Sequence, residues 1–214
     1  DGYKLIKVHM VFDVKPDTRH RGRLVADGEL TDIPLESVYS GVVSLKGLRA
    51  CIFLGELNGM EAWGTDISSA YLCAKTSEKV CIRAGPEFGP LARHLLIIDK
   101  ALYGLKSSGR QFNYQLQDVL ATLGFKQSRA EDSIFIRKSP TRDCYEYIAT
   151  YVDDLCIVVV DPEAFIEALT NNKIHHYKLK GSDPLNVHLG CAFKQDKDST
   201  LYQDASKYAE HMKD

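Results

Sequence analysis

The sequence predicts an α+β fold, an antiparallel sheet with helices on one face. Three observations lead there. The elements run strand, helix, strand, strand, strand, helix; apolar spacing switches between alternation and helical period from one segment to the next; and 44% of the 214 residues are hydrophobic, enough for a sizeable core. No apolar run approaches the length of a membrane span.

The first stretch, "YKLIKVHMVFDVKPDTRHRGRLVADGEL", alternates on both sides of the turn signal Lys15-Pro16-Asp17 and reads as a hairpin. Its return strand carries Arg21 and Arg23 two residues apart, so both lie on one face. In "SLKGLRACIFLGELNG", Leu45, Leu48, Ile52 and Leu54 follow helical spacing, and Asn58-Gly59 stops the helix. "EAWGTDISSAYLC" is a short strand turning into a helix or loop, with Asp66 at the changeover. A strand, a glycine-bearing turn and a long amphipathic helix closing at Leu123-Gly124 come next, then two strands, "DSIFIRKS" and "CYEYIATYV". After "CIVVV", Asp161 caps a helix, Pro162 takes its first position, and Asn171-Asn172 end it.

A formal charge of -2 gives no global basic field, so affinity for nucleic acid must rest on local patches. Six cysteines lie scattered in mostly apolar surroundings without a C-x-x-C pair, as expected of reduced intracellular thiols rather than a zinc site or disulfide frame. The chain begins without methionine and stops within a predicted helix, so it is expected to be part of something longer.

Chemistry concentrates at "YVDD", residues 151–154. Asp153 and Asp154 sit side by side at a hairpin tip, and adjacent like charges are unfavourable unless water or a cation reaches them. Taken alone, an Asp-Asp tip is more often simply a turn. Asp66 at another strand end, followed by "ISSAY", and the segment "KALYGLKSSGRQF" change that balance. With "HRGRLVADG", "LGFKQSRAEDSIFIRK", "YKLKGSDPLNVHLGCAF" and "YQDASKYAEHM" in this order, the chain resembles the reverse transcriptase domain of copia-type LTR retrotransposon Pol polyproteins over nearly its whole length.

The resemblance implies an RNA-directed DNA polymerase, a nucleotidyltransferase that adds dNTPs to a primer 3′-hydroxyl with two Mg²⁺ ions about 3.5–4 Å apart, Mn²⁺ being able to replace them. It implies a right-hand polymerase with fingers at 1–45 and 74–106, palm at 46–73 and 107–195, and the start of a thumb or connection at 196–214, the thumb being largely missing. Asp66, Asp153 and Asp154 match the catalytic metal ligands, and the carbonyl of Ile67 matches a further oxygen donor. Tyr71 matches an aromatic plate under the incoming sugar, Arg23 with Arg21 a triphosphate clamp, and Gly104, Lys106 and Ser108 a segment around nucleotide and template. Lys180 matches a general acid to the leaving pyrophosphate, and Leu189-Gly190 the primer grip. Implied partners are an RNA or DNA template, a primer, dNTPs, and flanking protease, integrase and RNase H modules, without a membrane; the implied place is the cytoplasm, within virus-like particles.

For Tyr71 the plain alternative is a core aromatic, for Lys106 and Lys180 solvated surface charge, and for Gly104 a turn. The chain also departs from the family pattern. Gly109 stands where the family has proline, Asp27 where it has a basic residue, and Thr65 where it has an apolar one. No metal ligand is lost, yet a catalytically decayed domain that only binds nucleic acid is the alternative. A calcium loop over "DKDSTLYQDASK" is excluded because Leu201 and Lys207 occupy the positions that need glycine and a bidentate glutamate.

Overall fold

The computed structural model describes residues 2–14, 18–31, 38–189, 191–196 and 201–206. In chain order, β1 (Lys4–Ile6), β2 (Val8–Val14) and β3 (His20–Ala26) precede α1 (Leu45–Leu57) and β4 (Ala62–Ile67). The short α2 (Ala70–Cys73), β5 (Val80–Arg83) and β6 (Leu95–Ile97) lead to α3 (Ser108–Thr122). Then come β7 (Lys126–Gln127), β8 (Ile134–Lys138), β9 (Tyr145–Tyr151), β10 (Asp154–Val158) and α4 (Pro162–Thr170). Four further strands, β11 (Leu179–Pro184), β12 (Val187–His188), β13 (Cys191–Gln195) and β14 (Leu201–Asp204), lie where local patterning alone predicts nothing. Two compact units result, Asp1–Ser40 with Ser69–Leu116, and Gly41–Ser68 with Gln117–Asp214.

The second unit is built on a six-stranded sheet in the order β11-β4-β10-β9-β8-β7, every pairing antiparallel. Its strands alternate as the pleat requires. On one face Ala62, Ile134, Ala149, Cys156 and Val158 form a core with Leu48, Cys51 and Ile52 of α1. The helix lies so close that a Cβ on Gly55 would meet the Val158 side chain at 2.3 Å. On the other face, Arg137 of β8 donates to the Leu123 carbonyl at the end of α3 (2.6 Å) and covers the Phe125 ring, which meets Phe165 of α4 edge-on. The sheet is therefore covered on both faces, which corrects the expectation of helices on one: Phe135, Ile148, Leu155 and Ile157 are buried on the face away from α1, and α1 supplies the cover of the other.

Helix boundaries follow their caps. Ser44 Oγ accepts from the Gly47 N–H (3.0 Å) and donates to Glu131 (3.0 Å), and Asp161 accepts from the Ala164 N–H (3.0 Å). The helical spacing at the start of α1 does not predict burial throughout. Leu45 is 47% exposed, and the buried stripe is Gly47, Leu48, Cys51, Ile52 and Gly55.

In the first unit β2 and β3 form the expected antiparallel hairpin, with Arg23 opposite Val11 and Arg21 opposite Asp13; its turn residues, Lys15-Pro16-Asp17, lie outside the described ones. Beside it β1, β5 and β6 form a small sheet in which β1 and β5 run parallel. The core gathers Ile6, Ala26, Val80, Ile82, Leu102 and Leu105. All six cysteines are free, and burial pushes the Cys51 thiol up to about 12, which leaves it inert at neutral pH. Among the described residues no helix is long and apolar enough to cross a membrane.

Candidate active site

The acids are aligned by sheet register. Asp66, near the end of β4, lies directly opposite Asp154, the first residue of β10, and on its other side opposite Lys180 of β11. Directly opposed residues on neighbouring strands have Cβ atoms about 5 Å apart and share a face, so Lys180, Asp66 and Asp154 form one row across three strands. Asp153 occupies the two-residue turn joining β9 to β10, and its carbonyl accepts the Ile67 N–H (2.8 Å). This bond ties the turn to the end of β4. Of the two turn residues only Val152 has positive φ, at 56°, the pattern of a type II′ hairpin, in which that position favours glycine. A β-branched residue there stores strain of about 1–3 kcal/mol.

The electrostatics follow from the row. Burial, then the charges of Asp153 and Asp66, push the Asp154 carboxyl up from its ordinary 3.8 to about 6. Asp154 thus feels both other carboxylates. Among the described residues no group of three or more His, Cys, Asp or Glu side chains forms a ready-made metal cage. The donor set nonetheless suits a hard divalent cation, which takes oxygen ligands and would relieve the repulsion that burial amplifies. Ile67 has a fully buried side chain, and its N–H is the group bonded to Asp153.

A cleft of about 240 Å³ opens beside the row, lined by Asp66, Asp154, Lys180, Asp183 and His188 among others. Lys180 enters it at a bulge: the register of β11 shifts between Lys180 and Asp183, with Gly181 at φ 63°. Buried Thr65 fits into that bulge, its hydroxyl sharing a hydrogen bond with Ser182 Oγ (2.9 Å). The departure from an apolar residue before Asp66 therefore has a local partner. His188 is 5% exposed and its Nε2 has no hydrogen-bond partner among the described residues, and burial pulls its pKa down to about 4. Leu189, at φ 50°, packs against the α1 core, whereas Gly190 lies outside the described residues.

The remaining predicted residues belong to the other unit. Tyr71 of α2 packs against Tyr103 (centroids 5.2 Å) and Phe112 (6.4 Å), and the Arg23 guanidinium covers the Tyr103 ring at 5.8 Å. Gly104 takes φ 90°, and any Cβ there would sit 2.0 Å from the Ala26 carbonyl oxygen. Glycine is required because β3 passes backbone against backbone, the Ala26 N–H donating to the Tyr103 carbonyl (2.7 Å). Lys106 Nζ donates to the Thr31 carbonyl (2.6 Å), and Ser108, 1% exposed, donates to the Leu102 carbonyl (2.6 Å). Gly104, Lys106 and Ser108 thus make internal contacts, of which that of Gly104 is with β3. A Cβ at Gly109 would make ordinary contacts with the Ser40 Cβ (3.5 Å) and the Tyr71 hydroxyl (3.7 Å), so the site would accept a small side chain. Tyr103 and Ser182 carry no local sequence signal that singles them out; only their contacts do.

A sequence profile for the family described as "Reverse transcriptase (RNA-dependent DNA polymerase)" matches residues 1–212. The "Retrovirus-related Pol polyprotein from transposon TNT 1-94" of Nicotiana tabacum is 22% identical over 99% of this chain and 16% of its own length. The "Retrovirus-related Pol polyprotein from transposon RE1" of Arabidopsis thaliana is 26% identical over 83% of this chain and 12% of its own. The "Transposon Ty1-LR2 Gag-Pol polyprotein" of Saccharomyces cerevisiae is 29% identical over 81% of this chain and 10% of its own. The chain therefore spans between a tenth and a sixth of these relatives.

Proposed function

The chain belongs to the reverse transcriptase (RNA-dependent DNA polymerase) family, in the form carried by copia- and Ty1-type retrotransposons, and from that membership we propose that it performs the nucleotidyl transfer of a Pol polyprotein. The reaction is attack of a primer 3′-hydroxyl on the α-phosphate of a dNTP, with pyrophosphate leaving, on an RNA or DNA template. One observation carries the proposal: the in-register row Lys180–Asp66–Asp154 beside a strained turn that holds Asp153.

Asp66, Asp153 and Asp154, with the Ile67 carbonyl, are the oxygen donors that would hold the cations. Two Mg²⁺ ions, or Mn²⁺ in their place, supply activation of the primer hydroxyl and offset the charge on the leaving group. Lys180, which stands opposite Asp66 and lines the cleft, gives a proton to the departing pyrophosphate in this reading. In the other unit Arg23 neutralises triphosphate charge, with Arg21 on the same strand face, and the Tyr71 ring takes the sugar and excludes a ribose 2′-hydroxyl. Leu189 and Gly190 grip the primer. Fingers (1–45, 74–106), palm (46–73, 107–195) and the start of a thumb (196–214) belong to the same proposal. So do the flanking protease, integrase and RNase H modules and a cytoplasmic, particle-bound setting.

The test is incorporation of a labelled dNTP on a primed RNA template with Mg²⁺. The wild type extends the primer, and Asp153→Asn loses about 1000-fold or more at an unchanged circular dichroism spectrum. Normal extension by Asp153→Asn rejects the site. A wild type that binds primed template yet incorporates nothing is instead the decayed, binding-only domain.

A further inference from the structure

We propose that Tyr103 is a positioning residue that holds the two nucleotide-binding side chains of its unit, Arg23 and Tyr71, as one body. The inference rests on the reading of those two residues as triphosphate clamp and sugar plate. Tyr103 lies within "KALYGLKSSGRQF", and its contacts carry the inference.

One ring serves both partners. The Arg23 guanidinium lies 5.8 Å from the Tyr103 centroid, within cation–π range, and the Tyr71 ring lies 5.2 Å away at a tilt of 43°, within the range of favourable aromatic pairs. Tyr71 is supported further by Phe112 at 6.4 Å. Tyr103 is only half-buried, so its ring is not simply core filling.

The backbone of Tyr103 fixes the same strand that its ring serves. Its carbonyl accepts the Ala26 N–H (2.7 Å), a parallel bridge pairs it with Val25, and the neighbouring Gly104 lies too close to Ala26 for any side chain. Arg23 stands only two residues before Val25 on β3, so the tie limits how far the guanidinium can drift from the ring. No carboxylate among the described residues pairs with Arg23, and its Nε is buried without a hydrogen-bond partner there. An arginine oriented by a ring keeps its charge and donors for a phosphate, whereas a carboxylate partner would neutralise it. Sugar selection and triphosphate binding are therefore coupled through Tyr103.

The experiment measures dNTP affinity without turnover. The chain is bound to an RNA template with a dideoxy-terminated primer, titrated with dCTP or CTP in the presence of Mg²⁺, and challenged with excess competitor duplex; the surviving fraction yields Kd for each nucleotide. Tyr103→Phe keeps both affinities within about twofold. Tyr103→Leu weakens dCTP about tenfold and narrows the CTP/dCTP ratio, because both partners lose their support. Tyr103→Met, which fills the volume without a ring, gives the same loss and stands in should Tyr103→Leu fail to fold. Arg23→Ala costs clearly less in a Tyr103→Met background than in wild type, the signature of coupled residues. Unchanged Kd values in Tyr103→Met, a Tyr103→Phe as weak as Tyr103→Met, or strictly additive effects with Arg23→Ala overturn the proposal. Asp153→Asn keeps the two conclusions apart. Normal extension by that variant rejects the acid site, while lost extension together with unchanged Kd values in Tyr103→Met rejects only the role of Tyr103.

Discussion

The acid row and the side chains proposed to grip the nucleotide are held by different physics. Asp66, Asp154 and Lys180 sit within a six-stranded sheet whose neighbouring residues Ile67 and Leu155 are fully buried, so their spacing is set by strand register. Arg23 rides on a two-stranded hairpin that exposes Phe12 at 78% and is held by a backbone tie to Tyr103 and a shared ring. A sheet register is cooperative: one slip would move every side chain to the wrong face. A strap can yield locally. Under the proposed roles, cation ligands would need the first kind of support, whereas a grip on a flexible triphosphate would tolerate the second.

The largest effect expected from breaking the first support chemically is that of Asp66→Asn. Primer extension should fall about 1000-fold or more, with amide exchange in β4 and β10 unchanged. A variant that loses that protection would show that the carboxylate, and not the register, organises the row. Next comes a break in the strap. Gly104→Ala drives a Cβ to 2.0 Å from the Ala26 carbonyl oxygen at φ 90°, and should destabilise its unit by about 3 kcal/mol. Hydrogen exchange should accelerate at the Leu24 and Ala26 amides and leave Leu155 and Ile157 protected. Equal loss in both regions would erase the distinction between them.

A smaller change sharpens the account of the sheet. Thr65→Val leaves Ser182 without its hydroxyl partner in the β11 bulge and should cost about 1 kcal/mol in thermal unfolding, most of it recovered by adding Ser182→Ala. A Thr65→Val variant as stable as wild type would mean the bulge needs no such pin. The smallest effect is on pH dependence, measured without divalent cations. His188 falls from 6.5 to about 4 on folding, so its stability contribution is complete above 6.5 and is lost as pH falls toward 4. Asp154 rises from 3.8 to about 6, so it favours the folded state at low pH and loses that contribution as pH climbs through 6. The two slopes oppose between about 4 and 6. In melting-temperature profiles, His188→Gln should remove the acid-side decline and Asp154→Asn the acid-side gain. Parallel curves for wild type and both variants would rule out both assignments.

The sequence by itself determined what local chemistry decides. Alternation around residues 15–17, the cap and proline at Asp161-Pro162, and the Asp153-Asp154 tip between two apolar runs all lead to elements that form where expected, because turn, cap and strand preferences act over a few residues. The ordered motifs likewise sufficed to recognise the reverse transcriptase family. Other features were not legible. That Lys180 stands opposite Asp66, or that Thr65 and Ser182 share a hydrogen bond, depends on pairing strands far apart in the chain, whose register follows from packing and loop closure rather than from either segment's propensity. Likewise, Gly104 looks like a turn glycine in sequence, and only the passage of β3 against it shows that the absent Cβ is the point. The sheet's second helical cover was hidden for the same reason. Alternating apolar residues show that a strand has faces, but which helix closes each is decided only when distant surfaces compete to exclude water.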